Sequence, residues 1–131
     1  MALTNLTKGT VVGSEGGSAT TNLAQGLAKA WADYSGSGTT FTDSFNCASA
    51  TDNGTGDYTI TITNDMASGN FSLTGNLGAS QAGDEHTLTF LSTDTSAGSR
   101  RIFSSTNYEP GSANGTPRDN IVNAVFHGDL A

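Results

Sequence analysis

The chain has 131 residues, enough for one domain with a real core and too few for two. About half of them are Ser, Thr, Asn and Gly, and only 34% are hydrophobic, so the core must be thin and any helix has little to build on. The net charge of −7, from 12 acids against five Lys and Arg, excludes nucleic-acid binding through phosphate contacts, which needs clustered cations.

Residues 1–27 are polar and Gly-rich, with "GSEGGSATTN" the least structured part, and read as an N-terminal attachment arm or a loose terminus. Val11-Val12 offers a short strand within it. The opening "MALTNLTKGTVVGSEGG" lacks a basic segment followed by a long apolar one, so no secretory leader is expected. No stretch is apolar enough for a membrane-spanning helix.

Residues 28–131 carry the alternation of strands. In "AKAWADY", Ala28, Ala30, Ala32 and Tyr34 share a face small enough for close approach of another sheet or chain. The competing helical reading of "TNLAQGLAKAWADY" carries a Gly and is short. "FTDSFNCASA" reads as one strand with Phe41, Phe45 and Cys47 on one face. Cys47, the sole cysteine, allows no intrachain disulfide or Cys-based zinc site and reads as a small core hydrophobe. "DYTITITN" is the clearest strand, with Tyr58, Ile60 and Ile62 opposite Thr59, Thr61 and Thr63. "NFSLTGNL" follows with Phe71, Leu73 and Leu77, "HTLTFLST" with Leu88 and Phe90, the shorter "RRIFSST", and "NIVNAVFHGD" with Val122, Ala124 and Phe126. About seven short strands between turn signals predict an all-β antiparallel sandwich.

Between two of these strands lies Asp52-Asn53-Gly54-Thr55-Gly56-Asp57. An EF-hand calcium loop needs oxygen ligands at positions 1, 3 and 5, Gly at 6 and Glu at 12. Counted from Asp52, Gly54, Gly56 and Thr63 break that pattern. Asn53-Gly54 between alternating runs is instead a hairpin signal, and Gly56 supplies a further left-handed residue for a bulged loop. The structural hairpin is therefore assigned to Asp52, Asn53, Gly54, Gly56 and Asp57; a surface ion on Asp52 and Asp57 is the lesser reading.

Chemistry is sparse elsewhere. Asp84-Glu85-His86 places neighbours on opposite faces of a strand, which suits a polar loop better than a metal site. His127 reads as a surface histidine, and Arg100-Arg101 as a solvated strand end. No local Ser-His-Asp signature or phosphate loop occurs, and nearly all the acids fall in predicted turns, so no catalytic residue, metal or cofactor is expected. The long segment "SSTNYEPGSANGTPRDN", from Ser104 to Asn120, is the best binding candidate. Tyr108 offers a stacking face with a polar tip, and Glu109, Asn114 and Arg118 offer polar contacts to a glycan or protein.

One group of motifs resembles a known module. "GLAKAW" (Gly26 to Trp31), "SFN" (Ser44 to Asn46), "TDNGTGDYT" (Thr51 to Thr59), Met66 and Asn70-Phe71 occur in the order found in a domain frequent in tail-fibre and other virion proteins of tailed phages. The resemblance covers about residues 22–75, and "AVFHGD" is similar to that domain's ending, with His127 inserted. It implies a virion structural module, a homotrimer often at the tip of a fibre, made in the host bacterial cytoplasm. Its partners would be copies of itself, other tail or capsid proteins, and a host receptor. A capsid decoration (cement) protein clamping capsomers is the alternative placement, and a carbohydrate-active enzyme a more distant one.

Overall fold

The computed structural model describes residues 10–12, 20–22, 27–36, 40–78, 86–90, 96–106 and 115–131. All regular structure among them is β. Strands β1 (Thr10–Val12) and β2 (Thr20–Asn22) pair antiparallel as a small sheet of their own, so the N-terminal stretch is not uniformly extended.

Two larger antiparallel sheets form the body. The first contains β3 (Ala30–Ser35), β4 (Phe41–Phe45), β7 (Ser72–Gly78) and β11 (Ile121–His127), in the order β4-β3-β11-β7. The second contains β5 (Cys47–Gly54), β6 (Asp57–Ile62), β8 (His86–Phe90), β9 (Ser99–Thr106) and β10 (Thr116–Pro117). There β9 pairs with β6, β8 and β10, and β5 lies outside β6.

The inner faces follow the period of two that strands impose. Ala30, Ala32 and Tyr34 on β3 stand beside Val122, Ala124 and Phe126 on β11, all buried. Facing them are Tyr58, Ile60 and Ile62 on β6 and Ile102 on β9. The Tyr34 and Tyr58 rings meet edge to face across the sheets with centroids 5.0 Å apart. The small Ala face of β3 thus takes the second sheet of its own chain. Where only methyls line one side, Tyr34, Tyr58 and Phe126 supply the volume that close packing requires.

"FTDSFNCASA" is not one strand. Asn46 adopts a left-handed backbone (φ 55°) and breaks it, sending β4 into the first sheet and β5 into the second. Its side chain holds the corner: Nδ2 donates to the Lys29 carbonyl at 2.9 Å, and Oδ1 accepts from the Asn64 N–H at 2.8 Å. The Asn46 carbonyl accepts from the Thr63 N–H at 3.0 Å.

Phe41 and Phe45 consequently part company. Asp33 pairs with Asp43 but Tyr34 pairs with Phe41, so Thr42 is an extra, bulged residue that inverts the alternation. Phe41 turns inward against Tyr34, whereas Phe45 remains 53% exposed opposite Trp31. A second irregularity at Ala48 lets Cys47 and Ala50 both face the core despite their odd spacing. The Cys47 thiol donates to the Trp31 carbonyl at 3.4 Å, and burial pushes its pKa up to about 11.

Arg100 is not solvated. It is buried, with its guanidinium 4.1 Å from the centre of the Phe71 ring and donating to the Gly69 carbonyl at 2.8 Å. β9 is also longer than "RRIFSST" suggests, with eight residues.

The Asn46 corner yields a direct test. Asn46→Ala removes its side-chain bonds and leaves the left-handed strain of its Cβ uncompensated, so it should cost about 2–3 kcal/mol in urea unfolding. Asn46→Gly loses the bonds without that strain and should cost about 1 kcal/mol less.

Candidate functional site

The β5–β6 hairpin turns two residues later than Asn53-Gly54 implied. Gly54 pairs with Asp57, and Thr55-Gly56 form the two-residue loop. Positive φ falls on Gly54 (134°) and Gly56 (70°), not on Asn53, which sits in a register shift between Asp52 and Gly54. Asp52 Oδ1 accepts from the Gly54 N–H at 2.8 Å. Asn53 Nδ2 donates to Thr59 Oγ1 at 2.9 Å and Asp57 Oδ1 at 3.3 Å. Asp57 also forms a two-pronged ion pair with Arg101, whose Nε lies 2.8 Å from Oδ1. Asp52 and Asp57 therefore hold different partners within the hairpin. The Arg101 bonds hold the Asp57 carboxyl below its usual range despite some burial.

Behind the loop lies a polar junction that sequence reasoning missed. Asp119 Oδ1 accepts from the Gly56 N–H and from the Tyr58 hydroxyl, each at 2.8 Å. Next to it, buried Asn120 donates through Nδ2 to Ser104 Oγ at 2.7 Å. Ser104 donates its N–H to the Gly56 carbonyl at 2.8 Å and accepts from the Arg118 N–H at 3.1 Å. Gly36 donates to the Asn120 carbonyl at 2.9 Å, and a Cβ on Gly36 would fall on the Tyr58 hydroxyl and 2.7 Å from that carbonyl. Burial first, then Asp119, raises the Tyr58 pKa. Burial also raises Tyr34, to about 12, so both phenols stay neutral. The junction is built from neutral donors around one carboxylate and fastens the chain before β11 to the hairpin. Its only advance signal was the Arg-Asp-Asn run at Arg118 to Asn120.

The proposed binding loop is narrower than Ser104 to Asn120. β9 continues to Thr106, and Thr116-Pro117 pair back onto Thr106 and Ser105. Tyr108, Glu109 and Asn114 lie outside the described residues. Arg118 is exposed and immediately precedes Asp119, which is also exposed at the edge of the junction. The Asp84-Glu85-His86 side chains also lie outside the description. Half-buried His127 ends β11.

The outward face of the first sheet is a second candidate surface. Phe45, Trp31 and Val125 form a cross-strand row with Thr74, and Asp43, Asp33, Asn123 and Asn76 form the next. Asp33 and Asp43 stand directly opposite each other, an unfavourable like-charge pair. Beyond this row is Ile121, 46% exposed.

No family model matches the chain, and no curated protein or solved structure matches it.

Two expectations follow. Asp119→Ala leaves the Gly56 N–H without its acceptor and the Tyr58 hydroxyl with only the Arg118 carbonyl at 3.5 Å, and should cost about 2 kcal/mol, against about 1 kcal/mol for Tyr58→Phe, both read by urea unfolding. Because Asp57 titrates below its unfolded value, its contribution is complete above the ordinary carboxylate range and is lost as pH falls through the lowered folded value. Arg101 is 43% exposed, so Arg101→Met should cost under about 1 kcal/mol at neutral pH. That cost should shrink in unfolding curves taken at progressively lower pH.

Proposed function

We propose that this chain is a structural protein of a tailed-phage particle, of tail-fibre or spike type, that assembles as a homotrimer and contributes to host attachment. The observation that carries the assembly reading is the row Phe45, Trp31 and Val125. It sets apolar side chains on the solvent side of a sheet whose other side already fills the core. Such a row favours a protein contact, and its occupant in this reading is a second copy of the chain. A thin core gains stability when subunits cover each other.

The placement on the virion rests on the motif resemblance from Gly26 to Phe71. Residues 1–27 would anchor the module to its neighbours in the particle. Tyr108, Glu109, Asn114 and Arg118 would meet the host glycan or protein. The absence of catalytic chemistry belongs to the same proposal.

Gold-labelled antibody against this chain, imaged on intact virions, tests the placement. Label at fibres or the tail tip is the expected result. Label spread over the head would overturn the tail assignment and favour the decoration role.

A further inference from the structure

The hairpin contains an Asn-Gly pair, the dipeptide whose backbone most readily cyclises because Gly presents no side chain to the attacking nitrogen. In that reaction the Gly54 nitrogen loses its proton and attacks Asn53 Cγ, and Nδ2 departs as ammonia. Water then opens the resulting succinimide to aspartate or isoaspartate. No oxidant or cofactor is required.

The fold holds both reacting groups. The Gly54 N–H is directed to Asp52 Oδ1 at 2.8 Å. The Asn53 amide is held across the hairpin by Thr59 Oγ1 at 2.9 Å and Asp57 Oδ1 at 3.3 Å. Asn53 is exposed to water, so burial does not protect it. Ring closure requires Cγ to swing onto the Gly54 nitrogen, which means leaving both bonds.

The geometry points to Asn53-Gly54 as a conformation-gated deamidation site, closed in the folded hairpin and reactive once β5 separates from β6. The change is one-way. Aspartate at position 53 replaces a donor by a carboxylate facing Asp57 Oδ1, and isoaspartate lengthens the backbone within the paired register. A chain that has opened its hairpin is thereby marked and cannot restore the original contacts.

The sequence contains an internal comparison: Asn53-Gly54-Thr55 and Asn114-Gly115-Thr116 are identical triplets. Deamidation at both is followed by peptide mass spectrometry at mildly alkaline pH, in buffer and in denaturing urea. In urea the two triplets should react alike. In buffer Asn53 should react at least about tenfold more slowly than in urea, since the reaction then proceeds through local opening. Asp52→Ala, checked by circular dichroism to be folded, should speed Asn53 several-fold in buffer and leave its rate in urea unchanged. A native Asn53 rate within about twofold of the urea rate would overturn the gating, with or without a folded variant. An unchanged native rate in folded Asp52→Ala would overturn the part assigned to the Gly54–Asp52 bond.

Discussion

The fold depends on a change of sheet at one residue. The segment from Phe41 to Gly54 supplies an edge strand to each sheet, and it can do so because Asn46 accepts a left-handed backbone between them. An amide suits this corner better than Gly would. Its two ends bond the Lys29 carbonyl before β3 and the Asn64 N–H after β6, fixing the corner to both sheets at once. With the corner set, β5 lies along β6, and the Tyr58, Ile60 and Ile62 face meets the alanines of β3.

The other end of the sandwich is closed by polar groups. Asp119, Asn120 and Ser104 join the hairpin loop, β9 and the approach to β11, and Gly36 is held close enough to exclude a side chain. A domain with so few large apolar residues gains order here from hydrogen bonds whose donors would otherwise be buried alone. The hairpin is thus held twice: from the side by Arg101 and from behind by Asp119. In the gating proposed above, the bonds to Asp52, Thr59 and Asp57 keep Asn53 from reacting with its neighbour.

Where local pattern and tertiary contact agree, the strands could be read in advance. Tyr58, Ile60 and Ile62, and likewise Val122, Ala124 and Phe126, alternate without interruption and lie inside as their spacing indicates. Phe41 and Phe45, expected on one face, fall on opposite faces, because a bulge at Thr42 changes the parity and nothing about that Thr announces it. Arg100 looked like a solvent residue, yet its cation sits on Phe71, a partner 29 positions earlier in sequence. Asp119 resembled a turn acid; its importance comes from Gly56 and Tyr58, which the topology brings to it. Of the candidate binding residues, Arg118 alone could be located.

In the proposed reading, the first sheet's outward face is the surface that would meet a second copy. Its apolar row includes Trp31, the sole tryptophan in the sequence, which makes the surface its own optical probe. The most direct measurement is Trp31 fluorescence with an added soluble quencher across a wide range of protein concentration. Coverage by a second copy predicts a blue shift and falling quencher access as concentration rises, and loss of both in Phe45→Glu. Unchanged emission and equal quencher access at every concentration would contradict the assignment of this face to subunit contact.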